Sequence, residues 1–117
     1  MSSLPHDHDD HSHLLAEHIP KLDTFATVSD AFKLLSDPHR VQLYWILCHC
    51  EECVINLSAM MQMSSPAVSH HLKLLKASGL IVSRREGKEV YYRAADNVQA
   101  SALHHVIEHV AEIACPE

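Results

Sequence analysis

Residues 64–93, SSPAVSHHLKLLKASGLIVSRREGKEVYYR, decide the fold. Ser64 is a residue type that caps helix N-termini, and Gly79 can end the same helix because glycine readily adopts a left-handed conformation. Two apolar stretches follow, LIVSRR and EVYYRA, which are rich in Val, Ile and Tyr and are joined around Gly87. This composition predicts two short strands. Residues 64–93 are therefore predicted to form a helix followed by a β-hairpin.

Helices are also predicted on both sides of this stretch. Residues 21–36 form an amphipathic helix, because apolar side chains recur at three- and four-residue steps, namely Phe25, Val28, Phe32 and Leu35. Asp37 and Pro38 suit the start of the next helix, HRVQLYWILCHC, which is apolar enough to be core. A short helix follows from about Val54 to Met61, and a last helix runs from near Asp96 to about Ala114.

Two short helices joined by a tight turn and followed by a hairpin are the order of a winged helix-turn-helix. We therefore expect a mostly α-helical α+β fold with a β-hairpin wing. The chain has 117 residues, 47% of them hydrophobic, which favours one domain. We assign residues 1–20 to a mobile tail rich in His and Asp, and residues 21–114 to the winged helix-turn-helix domain.

The charge of the chain is unevenly distributed. The formal net charge is -6, and acidic residues dominate the first 30 positions. Basic residues dominate positions 70–93. The acidic residues there are Glu86 and Glu89, and the basic residues are Lys73, Lys76, Arg84, Arg85, Lys88 and Arg93. A local basic surface can meet nucleic-acid phosphates even when the whole molecule is acidic.

The helix that begins at Ser64 has two distinct sides when its residues are stepped ~100° apart. Val68, Leu72 and Leu75 fall on one side, which should face the core. A neighbouring side carries polar residues suited to base edges and phosphates, namely Ser65, Ser69, His70, Lys73 and Lys76. Three wing residues, Arg84, Arg85 and Lys88, are expected to meet phosphate as well. The alternative is a solvated polar helix face without a partner.

No stretch of the chain approaches the length of apolar sequence that a membrane span needs, so we expect no membrane partner. Four cysteines are unevenly spaced, and no charged stretch followed by an apolar one opens the chain. This usage favours a reduced, cytoplasmic setting over a secreted disulfide scaffold.

The sequence resembles the ArsR/SmtB family of bacterial winged-helix repressors. The resemblance rests on LLSDPHRVQLYWIL (residues 34–47) and on residues 64–93, and it covers roughly residues 22–114. It implies a homodimer, paired through the first and last predicted helices, that binds double-stranded operator DNA and releases it when an inducer, usually a metal ion, binds. The DNA-reading positions of the family fall here on Ser64, Ser65, Ser69 and His70, with wing contacts near Arg85 and Lys88.

The resemblance also implies a metal site on the last helix. The matching positions here are Asp96, Val98, His109 and Glu112, of which Val98 cannot ligate a metal. His105 is the candidate replacement, because it lies one helical turn before His109.

Two chains are needed to build this site. Asp96 and His109 are 13 residues apart, which is ~20 Å along one helix and far beyond the ligand shell of a metal. An antiparallel pair of last helices, packed through an apolar stripe, would bring Asp96 of one chain to His109 of the other; the stripe is Leu103, Val106, Ile107 and Val110. Such N/O ligation favours Zn²⁺, with Co²⁺, Ni²⁺ or Cd²⁺ as alternatives. The alternative is a solvated helix face, and His104 is expected on the surface.

A second site for metal or thiol chemistry is less complete. Cys53 matches the first thiolate of a Cys-x-Cys pair found in such sensors, but Ile55 replaces the second, and Cys48 and Cys50 could compensate. The tail segment HDHDDHSH adds four candidate ligands, His6, His8, His11 and His13. These could capture ions, donate the missing ligand, reach Cys53 of the other chain, or take no part in switching.

Two other functions remain open at this point. A repressor of the same fold could sense oxidants or persulfides through Cys48 or Cys50 together with Cys115. The segment HVIEH, His105 to His109, also matches the His-x-x-Glu-His pattern of inverted zinc peptidases, which makes a small zinc hydrolase a remote alternative. The short chain after His109 offers little room for the further ligand and substrate cleft that such an enzyme requires.

Overall fold

A computed structural model describes residues 4–116. The chain divides into two compact units, of which the first ends at Phe32 and the second begins at Lys33. Six helices and three strands follow one another in the described residues: α1 (Asp10–Glu17), α2 (Leu22–Leu34), α3 (Pro38–His49), β1 (Glu52–Cys53), α4 (Val54–Met61), α5 (Ser65–Ala77), β2 (Ile81–Glu86), β3 (Glu89–Ala94) and α6 (Val98–Ala111). None of the described helices has the length and apolar content that crossing a bilayer requires.

The helix α1 lies inside the region expected to be a mobile tail. Asp9 caps it, because the Asp9 carboxylate accepts a hydrogen bond of 2.8 Å from the Ser12 N–H. None of the residues of α1 is buried. Residues 1–3 of the expected tail lie outside the described residues, and the mobility of residues 1–20 stays a prediction.

The helix and hairpin predicted for residues 64–93 are confirmed. The Ser64 hydroxyl caps α5 by accepting from the Ala67 N–H at 3.3 Å. Gly79 follows α5 with a φ of +82°, and Gly87 forms the turn between β2 and β3 with a φ of +63°. The hairpin is antiparallel, and its register places Ser83 opposite Tyr92.

A third strand, β1, joins the hairpin. Its two residues, Glu52 and Cys53, pair antiparallel with Tyr92 and Tyr91 of β3, so the strand order is β1-β3-β2. No strand is predicted from the sequence at these two positions. A two-residue strand is too short to show an alternating pattern, so only the pairing with β3 defines it.

The core of the second unit lies around α3. Its side chains Leu43, Tyr44 and Leu47 are buried, and α3 packs against α5, α6 and β3. The core side predicted for α5 is confirmed, because Val68, Leu72 and Leu75 are at most 1% exposed. Further buried residues come from α4, β2 and α6, namely Leu57, Met61, Ile81, Ala100 and Leu103.

One buried hydrogen bond joins α3 to α6. The Tyr44 hydroxyl donates to the Ala100 carbonyl at 2.8 Å, and both residues are buried. Asn97 caps α6 by accepting from the Ala100 N–H at 2.8 Å, and the Asn97 side-chain amide donates to the Gly79 carbonyl at 3.0 Å. The helix α6 ends before Glu112, which has a φ of +56°, so it is shorter at both ends than the predicted last helix.

We expect Tyr44→Phe to destabilise the fold by about 1 to 3 kcal/mol, because the buried Ala100 carbonyl loses its hydroxyl donor. Chemical denaturation of the two proteins measures the free energy of unfolding. Tyr92→Phe is the matched control, because Tyr92 is only half-buried and the described part of the chain gives its hydroxyl no hydrogen bond. Equal losses in both variants would contradict the role assigned to Tyr44.

Candidate DNA interface and metal centre

The helix-turn-helix consists of α4, a turn at residues 62–64, and α5. Gln62 ends α4 in the left-handed conformation, with a φ of +54°. The hydroxyls of Ser58 and Ser65 lie 3.0 Å apart and link the two helices across the turn. The turn thus places the N-terminus of α5 at the surface.

The polar side of α5 is exposed along its whole length. The residues predicted to meet DNA on this helix, Ser65, Ser69, His70 and Lys73, are all exposed, as is Lys76. Ser64 is also exposed, but its hydroxyl is engaged in the helix cap. The helix contains no acidic residue, so its exposed side presents only hydroxyl, imidazole and ammonium groups.

His71 is a neighbour of His70 with a different role. It is 8% exposed, and its Nδ1 accepts a hydrogen bond of 3.3 Å from the Arg40 Nε. The Arg40 guanidinium also donates to the Leu34 carbonyl at 2.7 Å. Burial lowers the pKa of His71, which favours the neutral imidazole. His71 therefore ties α5 to the start of α3, a contact that sequence reasoning missed.

The three basic residues of the wing differ in their surroundings. Arg84 forms ion pairs with Glu51 at 2.7 Å and with Glu86 at 2.6 Å, and its guanidinium lies 4.9 Å from the centre of the Tyr91 ring. The hydrogen bond from Arg84 lowers the pKa of Glu51. Arg85 and Lys88 are exposed and form no ion pair with any residue that the structure describes. Arg85 and Lys88 are therefore more available to phosphate than Arg84.

The residues predicted as metal ligands on the last helix are all exposed. Asp96 precedes α6, His105 and His109 lie on it, and Glu112 follows it. Asp96 and His105 border one shallow surface depression together with Val98. Among the described residues of one chain, these four side chains do not come together at metal-ligand distances. The expectation that a second chain completes the site stays a prediction.

One other group of ligand-type side chains does come together within the chain. We call it the α3–α6 cluster: it consists of His49, His104, Glu108 and Cys115. The His104 Nε2 lies 3.1 Å from the His49 Nε2 and 3.2 Å from the Glu108 Oε2, and the His49 Nε2 lies 3.3 Å from the same oxygen. In the part of the chain that the structure describes, no other group of three or more potential ligands is found.

The hydrogen bonds around Glu108 keep it ionised. The Cys115 thiol donates to both carboxylate oxygens at 3.1 Å, and the Trp45 Nε1 donates to the Oε2 at 3.2 Å. The bond from Cys115, with those from Trp45 and His104, lowers the pKa of Glu108 to about 2. The bond to Glu108 in turn raises the pKa of the Cys115 thiol.

Sequence reasoning missed this cluster. It placed His104 on the surface, whereas the His104 side chain is half-buried, 21% exposed, against His49. His49 and His104 are separated by 55 positions, so no local spacing connects them. The closest available signals were the pair His104 and Glu108, one helical turn apart, and Cys115, which the sequence linked only to a thiol switch.

Among the residues that the structure describes, the cysteines near the end of α3 belong to no group of three or more potential metal ligands. Cys53 is buried, Cys48 and Cys50 are half-buried, and all four cysteines are free. Burial raises the pKa of Cys48 to about 11 and also raises that of Cys50. These thiols are therefore poor nucleophiles near neutral pH.

The tail histidines lie in the first unit. The His6 and His8 rings stack with their centres 5.7 Å apart, and the His13 Nε2 lies 3.0 Å from an Asp7 carboxylate oxygen. His11 is exposed on α1. In the described part of the tail, no three of these side chains converge on one point. Their role in metal capture stays a prediction.

Comparisons with known proteins agree with the fold. Residues 37–83 match the family model described as bacterial regulatory protein, arsR family. The transcriptional repressor SmtB homolog of Synechocystis sp. is 37% identical over 80% of this chain and 71% of its own length. A cadmium resistance transcriptional regulatory protein CadC homolog of Staphylococcus aureus is 36% identical, over 74% of this chain and 73% of its own. The homodimeric winged helix-turn-helix DNA-binding domain of a Mycobacterium bovis protein superposes with a TM-score of 0.69 at 29% identity, covering 79% of this chain and 84% of that one.

We expect His71 to make the stability of the fold depend on pH. The pKa of His71 is lower in the folded chain than its ordinary value of about 6.5. The stability that the neutral side chain gives the fold is therefore complete above about pH 6.5 and is lost as the pH falls below that value. His71→Gln should lose less stability than the wild type between about pH 7.5 and about pH 5.5. Urea denaturation at the two pH values measures this difference.

His39→Gln is the matched control. His39 is exposed and precedes Arg40 at the start of α3, whereas the buried His71 accepts a hydrogen bond from Arg40. The titratable or charged groups that act on His71 are Asp37, Arg40, His39 and His70. A pH dependence that changes equally in both variants would contradict the assignment to the buried imidazole.

Proposed function

Because the chain belongs to the ArsR family of bacterial regulatory proteins and is a DNA-binding repressor rather than an enzyme, we propose that a metal ion controls its binding to DNA. The metal-free homodimer binds double-stranded operator DNA, and a divalent ion, Zn²⁺ before Co²⁺, Ni²⁺ or Cd²⁺, releases it. Membership of this family excludes the zinc hydrolase suggested by His105 to His109.

The exposed polar side of α5 is the observation that carries the DNA-binding part of the proposal. Small hydroxyls at Ser65 and Ser69 allow the helix to approach the major groove, where they and His70 can bond base edges. Lys73 and Lys76 follow toward the C-terminal end of α5, where exposed lysines can meet phosphate. Arg85 and Lys88 at the wing extend the same basic surface, whereas Arg84 anchors the wing to Glu51.

The homodimer is supported by apolar faces on two helices, each considered separately. On α2, the side chains of Phe25, Val28 and Phe32 are 46–53% exposed. On α6, Val106 is 41% and Val110 80% exposed. Exposed apolar faces of this kind mark interaction surfaces. In a dimer paired through them, two copies of α5 would reach half-sites about one helical turn apart.

The metal site is proposed on the paired copies of α6. Antiparallel helices would bring Asp96 of one chain to His109 of the other, with His105 and Glu112 completing the ligands. Metal at this site would favour a dimer geometry that fits the grooves less well, and DNA must then weaken metal binding by the same factor. His6, His8, His11 and His13 are assigned an accessory role in ion capture.

A thiol switch is the second candidate function. Burial raises the pKa of Cys48, with smaller contributions from Glu108 and Cys115, so Cys115 is a neighbouring thiol with which Cys48 would pair. The raised pKa of Cys48 opposes this pairing, because a reactive thiol needs a thiolate fraction. If alkylated protein still releases operator DNA when zinc is added, the thiol switch is excluded.

We expect His109→Ala to bind operator DNA as tightly as the wild type but to remain bound when zinc is added. His109 is exposed on α6 and is not among the residues proposed to contact DNA, so its loss should remove a metal ligand without weakening DNA binding. Fluorescence anisotropy of labelled operator, with and without Zn²⁺, measures both properties. His39→Ala is the control and should release DNA normally; loss of operator binding by His109→Ala would contradict the assignment.

We expect Lys73→Ala to lower the salt dependence of operator binding. The slope of log K against log salt should fall by about 0.9 for each phosphate contact removed, or about 1.8 for a dimer. Binding titrations at several salt concentrations give this slope. Lys33→Ala is charge-matched and lies at the end of α2, so it should leave the slope unchanged; an equal decrease would show that net charge, rather than contact by α5, sets the salt dependence.

A further inference from the structure

We propose that the α3–α6 cluster is a second metal site, built within a single chain and separate from the site proposed between two chains. Its ligands are the Nε2 atoms of His49 and His104, a carboxylate oxygen of Glu108 and the Sγ of Cys115. This site does not depend on whether zinc releases the operator, so it can be tested on its own.

The spacing of the four atoms fits tetrahedral coordination. Zinc–nitrogen and zinc–oxygen bonds near 2.0 Å and a zinc–sulfur bond near 2.3 Å put neighbouring ligand atoms about 3.3 to 3.5 Å apart. The two imidazole nitrogens lie 3.1 Å apart, and each lies 3.2 or 3.3 Å from the Glu108 Oε2. The Cys115 Sγ lies 3.8 Å from the His104 Nε2. All four atoms lie within 4.8 Å of one another, so small movements would close the shell around an ion.

Three potential donor atoms for a metal converge in this arrangement. A neutral imidazole carries its proton on either Nδ1 or Nε2, and with the proton on Nδ1 it presents a lone pair at Nε2. The Nε2 atoms of His49 and His104 face each other across 3.1 Å, and both face the Glu108 Oε2. A bound cation would accept both nitrogen lone pairs and the carboxylate at once.

The surroundings hold two of the ligands in place. The Trp45 Nε1 donates to Glu108, which is the type of outer hydrogen bond that orients a ligating carboxylate. The His49 ring lies against Trp45, with ring centres 4.6 Å apart. The side chains of His49, His104 and Glu108 are 12–21% exposed. A neighbouring surface cavity, bordered by Cys48, Asp96 and His104, gives an ion a route to the cluster.

The mixture of ligands indicates the class of metal. Two imidazoles, one carboxylate and one thiolate suit a borderline ion such as Zn²⁺ or Co²⁺ rather than Mg²⁺ or Ca²⁺. On binding, the Cys115 S–H bond breaks, the sulfur bonds to the metal and a proton is released to solvent. Because Cys115 follows the end of α6, the ion would fasten this terminal segment to the C-terminal end of α3.

Titration of the reduced full-length protein with Co²⁺ tests the site, because tetrahedral cobalt absorbs strongly in the visible and a cobalt–thiolate bond adds a charge-transfer band in the near ultraviolet. We expect one such ion per chain. Cys115→Ser should abolish the charge-transfer band, and His104→Gln should weaken the binding that produces it more than tenfold. Cys50→Ser and His109→Ala are the matched controls and should leave the band unchanged.

Several results would overturn the site: no charge-transfer band in the wild type, a band that survives Cys115→Ser, or one that Cys50→Ser or His109→Ala removes. Cys115 is exposed after the last helix, so its replacement should not disturb folding, and circular dichroism checks this. Operator release by zinc, measured in Cys115→Ser, separates the two proposals. If zinc still releases operator DNA from Cys115→Ser, the intersubunit site is supported. That result holds even if the wild type shows no cobalt–thiolate band, which would overturn the α3–α6 site alone.

Discussion

The second unit of the protein depends on the burial of one face of α3. Leu43, Tyr44 and Leu47 are at most 2% exposed, and α5, β3 and α6 pack around them. Burying these apolar side chains stabilises the fold without fixing the orientation of the helices. The hydrogen bond from the Tyr44 hydroxyl to the Ala100 carbonyl does fix the position of α6 on α3. With α5 and α6 both held on α3, each has an opposite face left for solvent or for a partner.

The same packing explains how an acidic chain can present a surface for DNA. The apolar side of α5 is consumed by the core, so its remaining side carries hydroxyls, His70 and lysines without any carboxylate. In the wing, Glu51 and Glu86 hold Arg84, and this leaves Arg85 and Lys88 free for phosphate. Basic residues are therefore concentrated on α5 and the wing, and the net charge of -6 does not describe the charge of the surface proposed to meet DNA.

The two proposed metal sites use α6 differently. The ligands proposed between chains, such as His105 and His109, are exposed and need a second chain to become a shell. The α3–α6 cluster lies on another side of the helix and is already assembled by contact with α3. A thiol among its ligands favours softer ions than the N/O set does. Ions bound at both sites would thus act on the same helix, one from inside the chain and one from across the dimer.

Local sequence determined the elements whose signals lie within a few residues of one another. The cap at Ser64, the helix end at Gly79, the turn at Gly87 and the core side of α5 could all be predicted, because capping, positive φ and helical periodicity are short-range properties. The tertiary structure alone decided the strand β1, the burial of His71 beneath Arg40, and the meeting of His49 with His104. The partners in these contacts lie about 30 to 55 positions apart, and only the packing of whole helices and strands brings such residues together.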